Sequence, residues 1–133
     1  MINELRSITN TGRVVPWRVQ VDESVQDQHV PPAFSTNDES FELHTALAGN
    51  IIGQFAGPTV VSHIRSGRLV PLLPDYRSEV YSLHLYYGSR MAQPERVRRF
   101  IELAVERLSN SKSLILDTEE LWLAHHKGIA DLR

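Results

Sequence analysis

The sequence predicts an α/β fold. Two observations carry that expectation: segments with apolar residues at every second position alternate with segments of helical periodicity from Val14 to Leu108, and the links between them are only a few residues long. A third bounds it, because 133 residues is the size of one domain with one core.

Residues 1–13 are polar and turn-rich, with Ser7, Asn10 and Gly12, and read as a frayed lead-in. Trp17, Val19 and Val21 then alternate with Arg18 and Gln20, the pattern of a half-buried strand. Asp22 to Gln28 reads as a polar link, and a second extended segment runs from His29 to Phe34. Its Pro31-Pro32 pair removes two donors and places it at an edge or in irregular structure.

Ser35 to Glu39 is a helix start, through a Thr36 and Glu39 capping box or through Asn37 alone. Phe41, Leu43, Ala46, Leu47 and Ala48 give that helix its apolar side, and Gly49-Asn50 closes it in the left-handed cap position. Ile51 to Phe55 reads as a short strand. Gly57-Pro58 opens a helix that buries Val60, Val61 and Ile64 and stops at Gly67. Leu69 to Leu73 is a short extended piece, and Pro74 to Ser78 is a loop.

Val80 to Tyr87 is apolar on both faces and predicts a central strand. Pro94 sits in the first turn of the next helix, whose core positions are Val97, Phe100, Ile101, Ala104 and Leu108. Beyond Ser109 the pattern weakens: Leu114-Ile115-Leu116 suggests a short strand and Glu119 to His126 a short helix.

Composition excludes several classes of function. Lys and Arg total 14 against 16 Asp and Glu, for a formal charge of -2, so nothing draws the whole chain to nucleic acid or anionic membrane. Arg96, Arg98 and Arg99 are interleaved with Glu95, Glu102 and Glu106 and read as a solvated face, so direct DNA binding by this chain is not expected. Without cysteine there is no thiolate chemistry or disulfide, which fits a cytoplasmic protein, and no apolar run has secretory or membrane-spanning character.

No cofactor or metal is implied. The adjacent His125 and His126 cannot share a helix face, and His44, His63 and His84 lie on separate elements. Ser66 lacks the glycines of a nucleophile elbow, and Asp117 to Glu120 reads as a helix start. The chain is not expected to be an enzyme. In open α/β sheets small ligands sit where strand ends lead into helix N-termini, which singles out Ser35, Thr36 and Asn37, and Gln54 and Phe55 before Gly57. A polar or anionic effector suits these positions, although the first three also serve as plain helix caps and the last two as an ordinary strand end.

Several of these features, in this order, resemble the effector-binding domain of LysR-type transcriptional regulators: Trp17, Asn37-Asp38, Ala46-Leu47-Ala48-Gly49 with Ile52 and Gln54, Ser66 to Pro74, Leu85-Tyr86-Tyr87 with Ser89-Arg90, and Pro94 to Ile101. The resemblance covers residues 6–109, and departs where Ile51 and Ala56 stand in place of a common glycine and proline. It implies a partial periplasmic-binding-protein-like domain over residues 1–111. Residues 13–78 would be the second lobe, residues 79–109 a crossover strand with a first-lobe helix, and residues 112–133 a tail without family counterpart.

On that reading the chain is the carboxyl-terminal part of a regulator, a ligand-sensing module without its DNA-binding domain. A crossover strand lacking its first-lobe neighbours invites another chain, so a homodimer or strand-swapped assembly is expected. The alternatives are an interaction fragment that pairs with itself or with full-length regulators without binding effector, and a small α/β enzyme.

Overall fold

The computed structural model describes residues 5–7, 12–78, 84–88, 94–109 and 111–131. They form a mixed α/β arrangement of two small sheets and four helices.

Three extended residues, Leu5–Ser7 (β1), pair in parallel with Phe34–Thr36 (β4), in the register Leu5 with Phe34 and Ser7 with Thr36. The lead-in is therefore not simply frayed. Its polar residues carry no periodicity, and the pairing that orders part of it lies about thirty positions away, where the sequence gives no local sign.

Trp17–Val21 (β2) forms as its alternation predicts, and it turns back on Ser24–Gln28 (β3) as an antiparallel hairpin. The expected polar link is thus a strand. Asp22, at φ +52°, takes the left-handed position of a two-residue turn that aspartate tolerates, and Ser24 Oγ donates to the Val21 carbonyl at 3.2 Å. β3 is exposed along its whole length, so it has no apolar face for periodicity to reveal. Arg18 lies directly across from Asp27, with Nε 3.6 Å from its carboxylate. Residues 29–33, with their two prolines, are irregular.

Helix Glu39–Leu47 (α1) is capped by Asp38, and neither a Thr36–Glu39 capping box nor Asn37 performs that task. Asp38 Oδ1 accepts from the Ser40 and Phe41 amides at 2.9 and 3.1 Å, while Thr36 Oγ1 accepts from the Asp38 amide at 3.1 Å. Gly49 ends the helix region at φ +77°, as predicted. Ile51 to Phe55 is not a strand, since within it only Ile52 makes a bridge.

Helix Gly57–Arg65 (α2) follows, with Pro58 in its first turn, and Val60, Val61 and Ile64 are buried as expected. Gly67, at φ +73°, closes the turn after it. Leu69 to Leu73 makes no strand pairing, and Pro74–Tyr76 winds into one turn of 3₁₀ helix.

Residues 80–83 of the predicted central strand lie outside the described residues. His84 to Tyr87 carry no strand assignment, and Tyr86 is 90% exposed. Helix Glu95–Leu108 (α3) forms where predicted, but its expected core positions Phe100 and Leu108 are 63% and 44% exposed. The apolar residues do form a stripe along the helix, although none of them is fully buried. What the stripe packs on is a tertiary fact that periodicity does not contain.

The tail differs most from expectation. Lys112 to Leu114 form a turn, Ile115 and Leu116 carry no strand assignment, and the final helix is longer than predicted, Thr118–Asp131 (α4). It is docked on the rest of the molecule. Leu121 belongs to the buried apolar set with Ala46, Val60, Val61 and Ile64. His125 Nδ1 lies 2.8 Å from the Pro71 carbonyl, which can only accept, so that ring nitrogen carries the proton. Gly128 meets Val70 so closely that an added Cβ would stand 2.9 Å from the valine Cβ.

Two stability predictions follow from this packing. Val61 is 1% exposed, so Val61→Ala should cost roughly 2 kcal/mol through lost burial and residual cavity, read by chemical denaturation. Gly128→Ala should destabilise by about 1 kcal/mol net, because overpacking against Val70 costs about 1–3 kcal/mol and outweighs alanine's helix propensity. Adding Val70→Ala should then recover much of the Gly128→Ala loss.

Candidate functional site

The five residues singled out by sequence fall into two groups around the starts of α1 and α2. Ser35 and Thr36 end β4, which places them at the entry to α1, and Asn37 is exposed between them and the cap. Gln54 and Phe55 lead into α2. The two helix starts are tied together: Thr59 Oγ1 donates to Glu39 Oε1 at 2.7 Å. No sequence signal anticipates this bond, since the partners are twenty positions apart and each is an ordinary first-turn residue.

The chemistry of the two helix starts differs. At α1 the Asp38 carboxylate already holds two amides, and Glu39 and Glu42 add further acidic groups in the first turn. Asp38 thereby complements the helix dipole from within the chain and leaves little for an external anion. At α2 the cap position is Ala56, no side chain caps the amides, and no acidic residue lies in the first turn. Of the two, the α2 start is the better match for a polar or anionic group. The side-chain bond from Thr59 to Glu39 borders it.

Gln54 is committed elsewhere. Its Oε1 accepts from the Arg18 amide at 3.0 Å, and its Nε2 donates to the Arg18 carbonyl at 2.7 Å. The side chain thus reproduces the pairing of a neighbouring strand along β2, which is a structural task. Phe55 is half-buried and its ring folds over Gly53, where a Cβ would stand 2.6 Å from the ring. Beside the α1 start, Phe34 and Phe41 pair at a centroid distance of 5.5 Å, both about half exposed. Phe41 was legible as a helix residue and Phe34 as part of an extended segment, but their contact was not.

The tail grips the other end of α2. Arg65 donates to Glu120 through Nε at 3.1 Å and through Nη2 at 2.9 Å, to the Ile115 carbonyl at 3.1 Å, and to the Lys112 carbonyl. The hydrogen bond from Arg65 holds the Glu120 carboxyl below its ordinary range, and Glu120 in turn raises the guanidinium. At the other side of the tail, Arg77 Nη2 approaches Thr118 Oγ1 at 3.5 Å. Among the described residues, no group of three or more His, Asp or Glu side chains gathers as a metal site would need.

The model of the LysR substrate binding domain matches residues 4–109 of this chain. The chain belongs to the LysR substrate-binding domain family. It is also 32% identical over 95 residues, 70% of each chain, to the LysR family substrate binding domain-containing protein YagP of Escherichia coli strain K12. No solved structure matches it. The LysR-family match takes in both helix starts, all five candidate residues and α3, and it ends before the tail that holds Arg65.

The Arg65–Glu120 pair sets a pH dependence. Because the folded Glu120 titrates below its unfolded value of 4.5, its contribution is complete above that value and is lost as the pH falls through the folded one. Glu120→Gln should therefore flatten the acid limb of stability against pH in the region below 4.5, while changing the neutral-to-alkaline limb by a constant offset. Denaturant midpoints measured across the acid range check this.

Proposed function

We propose that this chain is the ligand-sensing part of a LysR-type regulator. The observation that carries the reading is the family match over residues 4–109, which spans both helix starts. Members of this family are regulators and not enzymes, and the absence of an elbow or phosphate-loop motif in the sequence accords with that. In this reading residues 13–78 form the second lobe, residues 79–109 lead to the first-lobe side, and residues 112–133 are an addition that stiffens the second lobe.

The effector is a polar or anionic metabolite at the junction of α1 and α2. Ser35, Thr36 and Asn37 contribute hydrogen bonds from one side, and Phe55 a ring from the other. The acidic start of α1 directs any negative group toward the uncapped start of α2. Gln54 supports the site through β2 without touching effector. Binding shifts a balance between arrangements of the chain, and a DNA-binding partner domain outside these 133 residues reads the shift in the cytoplasm.

A second reading is favoured by one observation, the exposed apolar residues of α3 and of residues 85–87. In that reading the chain pairs with itself or with a full-length regulator and regulates by association. Among the described residues no helix is long and apolar enough to cross a membrane, so neither reading involves a membrane-spanning helix.

A thermal-shift screen of carboxylates, sugars and aromatic metabolites separates the readings. An effector at a hundredfold excess over its Kd should stabilise the chain by about 2.7 kcal/mol, a rise of several degrees in Tm. Thr36→Ala and Phe55→Ala should reduce that rise, whereas a screen without any shift would favour association.

A further inference from the structure

The start of a helix and its docking on a neighbour usually depend on different groups, but in α4 they meet at one carboxylate. Asp117 Oδ1 accepts from the Glu120 amide at 2.7 Å, and the Asp117 amide donates to Glu120 Oε2 at 3.4 Å, the reciprocal pairing of a capping box. The same Oε2 accepts from Arg65 Nη2 at 2.9 Å, and Oε1 accepts from Arg65 Nε at 3.1 Å. Pulling Glu120 off Arg65 therefore disturbs the helix start. Unwinding that start, in turn, removes the carboxylate from the guanidinium.

α4 has little helix stability of its own. Its 14 residues are about the length at which isolated helices are marginal in water, and Gly128 in its interior weakens it further. Docking supplies the rest: Leu121 is buried, His125 donates to the Pro71 carbonyl, and Gly128 seats against Val70. Its outer side stays open, with Leu123 70% exposed. Other parts of the fold are tied together independently. The β2–β3 pairing, the Asp38 cap of α1 and the Thr59–Glu39 bond all form without any residue of the tail.

We propose that residues 112–131 are a strap that opens and closes as one unit over α2, with Glu120 as its latch. Closed, the strap lies along the side of α2 that Gly57, Val61 and Arg65 share through their spacing of four. The Leu114 carbonyl oxygen stands 3.5 Å from where a Cβ on Gly57 would be, and at the other end Arg65 holds the Lys112 and Ile115 carbonyls. Open, the strap bares that side of α2 from its start to its end. The ligand-sensing reading puts an effector at the α2 start, so on that reading the strap regulates access to the same site. The strap itself is defined by contacts within the chain, and its test needs no effector.

Backbone amide hydrogen exchange on the full chain, followed by NMR near neutral pH, tests this. The α4 amides should share one opening equilibrium and exchange faster than Val60 to Ile64 of α2. Glu120→Gln should speed that exchange about tenfold or more through to residues 127–131, while α1 and α2 keep their protection. Gly128→Ala, at the far end, gives a test of sign. In a helix that stands alone, alanine would slow exchange. In a strap, its crowding against Val70 should speed exchange at Leu121 and Trp122 as well as nearby. If Gly128→Ala slows exchange in α4, or if either variant is felt only within its own turn, the strap is not a unit and the proposal fails. It fails equally if α4 exchanges no faster than α2, or if α2 loses protection together with α4, because the tail is then an inseparable part of the core.

Discussion

One guanidinium carries much of the organisation of this molecule. Arg65 stands at the end of α2, and its planar fork meets the Glu120 carboxylate with two nitrogens while the remaining donors reach two tail carbonyls. The Lys112 carbonyl lies in the turn that opens the tail, and the Ile115 carbonyl lies just beyond it. Holding them sets where the chain re-enters the core after α3. Once it has done so, α4 can bury Leu121, place His125 against Pro71 and bring Gly128 onto Val70. A pair at this exposure contributes little by charge alone. Its importance lies in fixing the path of the chain, on which the apolar contacts then depend.

What the sequence made legible follows the distance over which each element is determined. Helices α1, α2 and α3 were readable because their periodicity, prolines and closing glycines act within a few positions. The hairpin was half readable: β2 alternates, whereas β3 is exposed on both faces and has no pattern to show. The β1–β4 pair and the Arg65–Glu120 clamp were not readable, since their partners lie about thirty and fifty-five positions apart. Three polar residues in a row, Thr36, Asn37 and Asp38, each satisfy the chemistry of a cap. Only the backbone geometry decides for Asp38.

The candidate site shows the same division. Its location at two helix starts came from a general property of α/β folds, and the family match takes in the same stretch. The roles within it depended on contacts. Gln54 is polar and next to a helix start, which recommended it as a ligand residue, yet both ends of its amide are used by Arg18. The carboxylates at α1 invert the simplest expectation for a helix N-terminus, because Asp38 already occupies the amides that an anion would seek.

The Gln54 amide has a further effect on how the hairpin behaves among other molecules. A two-stranded sheet exposes edges on which an extended segment from another chain can add as a new strand, and such growth is the first step of ordered aggregation. Where Gln54 lies along β2, the amide and carbonyl of Arg18 are already answered by a group that cannot continue the ladder. A glutamine here works as a stopper, leaving the hairpin less able to serve as a template at the strand where its apolar residues are concentrated.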